Sequence, residues 1–316
     1  LGYEQTETES EIISIIKEDK ETDILSEGDE GIIILNQTPF YGESGGQIGD
    51  SGKIIYENSI FEVCDTTKIF GLFFLHHGKV VSGQFTKKEN VTAIINKNKR
   101  ELIKCNHSST HLLHSSLRKI LGNHVSQKGS LVNNEKLRFD FSHNDPISSE
   151  NIIKIEKHVK QEINNNSKVD TKIIDHQKAI EEGAIALFGE KYGDEVRVVS
   201  MGTKELEKVF SKELCGGTHV NQTGDIIDFK IINQSSVASG IRRIEALTNI
   251  SVKQYMNEKN QLKKQKDKDD QIKIDQLIKD IKKIDSNFTY SNKNNEILIN
   301  QIKELRKILD NKKQNL

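Results

Sequence analysis

Two short motifs hold four metal-binding side chains, in parts of the chain that lie about a hundred residues apart. His107 and His111 occur in NHSSTHLLHSSLRKIL, and Cys215 and His219 occur in ELCGGTHV. The first stretch has the apolar spacing of an amphipathic helix, so both imidazoles share one helical face, with their Cβ atoms about 6 Å apart. Three imidazoles and a thiolate suit tetrahedral zinc. If the four side chains hold one ion, the fold must bring the two segments together.

Neighbouring residues limit what these motifs can be. The first motif lacks the Glu of HExxH, so it does not indicate a metalloprotease. Gly216 and Gly217 disfavour a helix and let the backbone fold tightly, so that a thiolate and an imidazole can converge from a loop. For His114 and Cys105, which lie beside the first motif, we expect packing or local hydrogen bonds rather than metal ligation.

The pattern along the chain predicts an α+β protein in three parts. Residues 1–90 are expected to form a small β-barrel, because short β-rich runs such as GIIILNQ and KIIYENSIFEV are broken by glycine. Residues 91–250 mix helices and strands without regular alternation, which suggests an α+β core containing both metal motifs. Residues 251–316 are predicted to form a Lys-rich helical hairpin.

The hairpin prediction rests on two apolar seams. Ile274, Leu277, Ile281 and Ile284 follow a heptad rhythm, and so do Leu298, Ile302, Leu305 and Leu309. The segment SNFTYSNKNN between them is a poor helix, which favours two antiparallel helices, although the second seam keeps the register that one continuous helix would need. The tail has 16 basic against 10 acidic residues, a solvated surface that is also compatible with phosphate contacts.

Composition narrows the class of protein. The net charge is −1, so bulk charge does not argue for nucleic acid binding. Three scattered cysteines are too few for a disulfide scaffold and favour a reducing cytoplasm. The sequence has no apolar run of the roughly 20 residues that a membrane helix needs. Since it begins at Leu1, we expect a piece of a longer protein.

Several motifs, in this order and spacing, resemble the editing region of alanyl-tRNA synthetases. They are NHSSTHLLHSSL, SQKGSLV, LRFDFSH, EKYGDEVRVV, CGGTHV, TGDI and SGIRRIEA, and TPFYGESGGQIGDSG is similar to the barrel that precedes them in that family. The resemblance covers nearly residues 1–250, and more loosely the helical tail. Threonyl-tRNA synthetases share the HxxxH and CxxxH elements without the GGQIGD loop. Free-standing AlaX editing proteins share the barrel and the zinc set.

The resemblance implies hydrolysis of tRNA-Ala mischarged with serine or glycine. A pocket shaped for alanine cannot exclude glycine sterically and rejects an added hydroxyl poorly, so a second site must remove the errors. A longer parent chain would attach alanine to tRNA-Ala with ATP, and any self-association would use regions outside these 316 residues. The alternatives are an AlaX-type trans-editing protein and a non-catalytic, zinc-stabilised tRNA-binding module.

The zinc ion is expected at His107, His111, Cys215 and His219, and three roles for it stay open. Four protein ligands would indicate a structural ion. Three ligands and a water would indicate a Lewis acid, with Cys215 as the loose ligand. Alternatively, the ion would hold the amino group of the substrate.

Thr110, Gln127 and Cys215 are the expected catalytic residues. Thr110 would present its hydroxyl to a serine substrate, or else bond its own helix backbone. Gln127 resembles a family position beside the editing pocket, and its alternative is an ordinary loop amide.

The expected tRNA contacts are Gly45, Gly46, Arg242 and Arg243. The two glycines would let the backbone approach RNA or close the cleft, or else form a tight barrel turn. One arginine would meet phosphates while the other pairs with Glu245.

Overall fold

The computed structural model describes residues 1–186, 193–205, 208–290 and 298–314. It divides into two compact units, Leu1–Val252 and Lys253–Leu316. No helix among these residues is both long and apolar enough to cross a bilayer.

The first part of the chain is a closed antiparallel barrel, as the sequence predicts. Six strands pair in the order β1-β4-β7-β6-β5-β9, and β9 pairs back onto β1 to close the ring. β2 extends β1 at the rim, and β3 pairs with β8. The strands are β1 (Glu7–Lys17), β2 (Lys20–Thr22), β3 (Ile24–Ser26), β4 (Glu30–Leu35), β5 (Gly52–Tyr56), β6 (Ser59–Ile69), β7 (Phe73–Ser82), β8 (Gln84–Thr86) and β9 (Asn90–Ile95).

Alternation of buried and exposed side chains places the barrel core inside the ring. Val91, Ala93 and Ile95 of β9 point inward and pack with Phe61 and Phe85. Because β9 is a full member of the ring, the barrel continues to Ile95, beyond the boundary predicted at residue 90.

The following segment is an α+β core built on a four-stranded antiparallel sheet, β10-β11-β16-β15, with two helices packed against it. A smaller sheet, β12-β13-β14, carries a short helix. The elements are α1 (Lys97–Leu121), β10 (Gln127–Val132), β11 (Leu137–Ser142), α2 (Ser149–Asn164), β12 (Asp170–Asp175), α3 (His176–Glu181), β13 (Glu195–Glu205), β14 (Lys208–Leu214), a 3₁₀ turn (Thr223–Ile226), β15 (Phe229–Ala238) and β16 (Ile241–Thr248). Of the EKYGDEVRVV motif, residues 190–192 lie outside the described part.

The helix α1 carries the first metal motif and its sequence accounts for its position. The Asn96 side chain accepts a hydrogen bond from the backbone N–H of Lys99 and caps the N-terminus. Leu112, Leu113 and Leu117 are fully buried in the core cluster, which draws one face of the helix inward. His107 and His111 therefore lie within the molecule rather than at its surface.

The second unit holds most of α4 (Asn249–Ile284) and all of α5 (Leu298–Gln314). The eight seam residues named above all lie in one apolar cluster, together with Phe288 and Tyr290. Lys312, near the end of α5, pairs with Asp285 at the end of α4, at 2.6 Å. A simple antiparallel hairpin would instead bring the start of α5 to Asp285, so this ion pair differs from the one that a simple hairpin would form. Residues 291–295 of that predicted connection lie outside the described part.

Candidate metal centre and cleft

The four expected metal ligands converge on one point. One ligand atom from each of His107, His111, Cys215 and His219 lies within 4.8 Å of the other three. The Cys215 Sγ atom is 3.4 Å from the Nε2 atom of His107 and 3.4 Å from that of His219. Tetrahedral zinc with ordinary bond lengths separates its sulfur and nitrogen ligands by about 3.5 Å. The donor set and its spacing therefore fit zinc.

The outward-facing nitrogen of each imidazole lies beside a different polar group. His111 donates from Nδ1 to Glu213 at 2.9 Å, and Gln47 Oε1 lies 2.7 Å from His107 Nδ1. Ser108 Oγ lies 3.3 Å from His219 Nδ1. His111 Nε2 is buried and has no hydrogen-bond partner among the described residues, which is the condition expected of an atom that binds a cation.

The loop after β14 is held so that Cys215 faces α1. A Cβ atom on Gly217 would lie 2.0 Å from His107 Cε1, so only glycine allows this approach. Arg197 donates from one nitrogen to the carbonyl oxygens of Cys215 and Gly217, both at 2.8 Å. The Tyr3 hydroxyl donates to the carbonyl oxygen of Gly216 at 2.6 Å. Backbone contacts thus fix the loop and leave the thiol free to ligate.

The charges of the cluster are strongly coupled. Burial alone would raise the pKa of the Cys215 thiol, but the imidazoles of His107, His219 and His111 outweigh it and hold this pKa well below its usual range. Burial disfavours the charged form of His111, yet the Glu213 carboxylate and the Cys215 thiolate raise its pKa to about 10. Burial lowers the pKa of His219 to about 3. In the metal-free protein, these shifts favour the thiolate form of Cys215 and the cationic form of His111.

A cavity of about 500 Å³ opens beside the cluster. Its lining includes Thr110, Gln127 and Gly45, together with the ligands His107, His111 and Cys215. The Thr110 hydroxyl donates to the carbonyl oxygen of Asn106 at 2.9 Å, which is the backbone alternative considered above. Thr110 nevertheless lines the cavity, and a hydroxyl that donates one hydrogen bond can also accept one.

Gly46 contacts the core instead of lining the cavity. It has φ +84°, and an added Cβ would lie 2.6 Å from the carbonyl oxygen of Ser130. Gly46 therefore fits close packing of the barrel loop against β10. Gly45, by contrast, lies at the cleft itself.

The expected pairing of one arginine with Glu245 is wrong. Arg243 donates to both oxygens of Asp140, at 2.7 and 2.8 Å, because the register of β11 and β16 sets these residues opposite each other. Glu245 pairs with Lys136 at 2.6 Å instead. Arg242 Nε is buried without a hydrogen-bond partner in the described part of the chain, and both arginines lie outside the cavity lining.

Cys105 packs in the core as expected, whereas His114 makes a long-range hydrogen bond, rather than a local one, that ties it to the site. Cys105 is buried in the core cluster. His114 donates from Nδ1 to Glu213 at 3.0 Å, so one carboxylate holds His111 and His114 together. Burial opposes ionisation of Glu213, but these two imidazoles keep its pKa below the usual range.

Glu213 and Gln47 were not predicted as site residues. Glu213 had a signal in the sequence, because it lies two residues before Cys215 at the end of a strand and so faces the same side. Gln47 lies in the GGQIGD loop, and no local pattern connects it with His107.

Comparison with known proteins agrees with the geometry. Residues 1–99 match the family of class II (A) tRNA synthetases, and residues 196–245 match the second additional domain of threonyl and alanyl tRNA synthetases. The alanine–tRNA ligase of Pseudomonas entomophila is 49% identical over 257 residues, which are 81% of this chain and 29% of that relative. The chain thus spans less than a third of the length of the relative it matches. The first matched region contributes the loop that reaches His107, and the second contributes Cys215 and His219, so both meet at one cluster. On these grounds the chain belongs to the alanyl-tRNA synthetase family.

Proposed function

We propose that this chain hydrolyses the ester bond of tRNA-Ala mischarged with serine or glycine. The observation that carries the proposal is the His3Cys cluster, three of whose four ligands line a cavity of about 500 Å³. A cation site that only stabilised the fold would need no such opening, and this favours the hydrolase over a non-catalytic tRNA-binding module. For the whole protein, we propose that a longer parent chain ligates alanine to tRNA-Ala with ATP. Action as a free-standing editing protein is the alternative.

Zinc would be held by His107, His111, Cys215 and His219, where it would supply a positive charge that orients substrate and water. An aminoacyl ester is already activated, so the remaining residues need only place the carbonyl group and a water molecule. In the reaction the water oxygen bonds to the carbonyl carbon, the bond from that carbon to the ribose oxygen breaks, and the ribose oxygen takes a proton.

The side chains around the cavity support these separate roles for the ion and the residues. Glu213 is buried and holds two imidazoles, so it is not available as a general base. Thr110 can accept a hydrogen bond from the hydroxyl of a serine substrate, and Gln127 lies on the same cavity wall. Because Arg243 is engaged with Asp140, we propose a phosphate contact for Arg242 of the pair. The cytoplasm, where free thiols persist, is the proposed location.

Deacylation of Ser-tRNA-Ala by this chain tests the proposal directly. We expect free serine to be released, and we expect a zinc chelator to abolish the release and added zinc to restore it. Cys215→Ala should lose zinc and activity together, whereas Cys64→Ala removes an exposed thiol of the barrel and should match the parent protein. Full deacylation and full zinc occupancy in Cys215→Ala would show that Cys215 is not a ligand. A chain that binds zinc and tRNA without releasing serine would favour the binding module.

A further inference from the structure

The glycine-rich loop of the barrel runs directly against the core beside the metal cluster. The backbone N–H of Val132 donates to the carbonyl oxygen of Gly46 at 2.7 Å, and the N–H of Ile48 donates to the carbonyl oxygen of Val132 at 3.1 Å. Gln47 lies between these two contacts and forms a parallel bridge with Val132. Its backbone is therefore fixed on both sides to β10.

The same loop is also anchored to α1. Asp50 and Arg100 form an ion pair in which both side chains are about 2% exposed. Arg100 lies two helical turns before His107, and Asp50 lies three residues after Gln47. This second anchor aligns the loop with the helix that carries the metal motif.

The Gln47 side chain is completely buried and its polar atoms are all engaged. Oε1 accepts a hydrogen bond from the backbone N–H of Thr218 at 2.9 Å, and Nε2 donates to the Thr218 hydroxyl at 2.9 Å. The backbone N–H can only donate, so it fixes the atom facing it as the amide oxygen. That oxygen also lies 2.7 Å from His107 Nδ1, which must therefore carry the proton.

This hydrogen bond determines what the other ring nitrogen can do. With the proton held on Nδ1, the lone pair of His107 is on Nε2, which faces Cys215 Sγ at 3.4 Å. Gly217 leaves room for this hydrogen bond, because an added Cβ atom there would lie 2.9 Å from Gln47 Oε1. A loop of the barrel thus sets both the tautomer and the ring orientation of a residue in the core.

We infer that Gln47 is a positioning residue for the metal ligand His107, so that the barrel contributes directly to the affinity of the metal centre. The inference rests on the proposed zinc site. Outer hydrogen-bond partners of histidine ligands typically change metal affinity by roughly 10- to 100-fold when they are removed. The reason is that a buried imidazole N–H without an acceptor is penalised, and the ring loses its preferred orientation.

Zinc affinity of matched variants tests the inference without an activity assay. Gln47→Leu removes the acceptor at similar size, and Gln47→Glu keeps an oxygen facing His107. Gln37→Leu is the control, because it removes a barrel amide that donates to the Glu9 carbonyl oxygen and not to His107. Zinc dissociation constants would be measured by competition with a chromophoric chelator, and thermal melting of each metal-free protein would show whether it folds.

We expect Gln47→Leu to bind zinc roughly 10- to 100-fold more weakly, and Gln47→Glu and Gln37→Leu to bind it like the parent chain. Equal affinity of Gln47→Leu and the parent would overturn the inference and leave the zinc site intact. A loss of zinc affinity in Gln47→Glu as large as that in Gln47→Leu would also overturn the inference. If Gln47→Leu does not fold, Gln47→Met, which also lacks the amide acceptor at similar size, takes its place in these comparisons. A parent chain that binds no zinc would instead overturn the proposed metal centre, and the inference with it.

Discussion

Zinc binding near neutral pH should release about one proton, and we expect that proton to come from His111. In the metal-free protein the Glu213 carboxylate and the Cys215 thiolate raise the pKa of His111 to about 10, so its Nε2 atom carries a hydrogen at pH 7.5. The same nitrogen must offer its lone pair to the metal. Because the neighbouring imidazoles hold the pKa of the Cys215 thiol well below its usual range, we expect the thiol to contribute less to the release.

The free-energy cost of removing this proton follows from the difference between the pH and the pKa of His111. Removing a proton at pH 7.5 from a group with a pKa of about 10 costs about 3 kcal/mol. The apparent zinc affinity should therefore rise about tenfold per pH unit between about pH 7 and 9. Glu213→Gln removes one of the two anions that raise the pKa of His111, so this pKa and the number of protons released at pH 7.5 should both fall.

Calorimetric titration with zinc in buffers of different ionisation enthalpy measures the released protons directly. The slope against pH is the decisive readout, because Glu213→Gln also loses an outer hydrogen bond and this lowers the affinity at every pH. Glu182→Gln removes an exposed carboxylate that pairs with Lys212, and it should behave like the parent. Proton release that is unchanged in Glu213→Gln would refute the reasoning, because it would show that the carboxylate does not hold the proton on His111.

Three further predictions concern the barrel and its junction with the core. Asp50→Asn should lower the free energy of unfolding by about 3–5 kcal/mol in urea titrations, because it leaves the Arg100 guanidinium buried without a counter-charge; a loss below about 1 kcal/mol would contradict this. Burial lowers the pKa of His76 to about 4, against about 6.5 when unfolded. The unfolded state then binds more protons between these values, so stability is full above pH 6.5 and falls by up to about 3 kcal/mol towards pH 4 in the parent but not in His76→Gln. Gly46→Ala should lower the melting temperature more than Gly28→Ala, since both have positive φ but only Gly46 has backbone within 3 Å of an added Cβ.

The sequence predicted the parts of the site that local chemistry determines. The spacing of His107 and His111 on a helix, and the glycines between Cys215 and His219, are properties of short segments, and they identified the four side chains that converge. The barrel could be predicted for the same reason, because alternation and turns are local. Thr110 was left between two interpretations, and its bond to the backbone of its own helix is the local one.

Contacts that depend on register or on tertiary packing were not predictable. One of Arg242 and Arg243 was expected to pair with Glu245 on the same strand, but Glu245 pairs with Lys136, and Arg243 pairs with Asp140 on β11. Nothing in either segment reveals that these two strands pair with Arg243 opposite Asp140. Gln47 shows the same limit more clearly, since it lies 60 residues before the imidazole it contacts.

The junction between barrel and core bears on how the cleft admits a substrate. Swinging the barrel away from α1 would break the buried ion pair of Asp50 and Arg100 and the contacts of Gln47 with His107 and Thr218. Exchanging these contacts for water costs about 1.5–3 kcal/mol for the hydrogen-bonded ion pair and about 0.5–1.5 kcal/mol for each of the Gln47 hydrogen bonds, or roughly 5 kcal/mol together. A conformation that costs about 5 kcal/mol is populated by fewer than about one molecule in a thousand. The cleft therefore has to accept its substrate with the barrel in place, which means that the walls that select the amino acid are formed before it arrives.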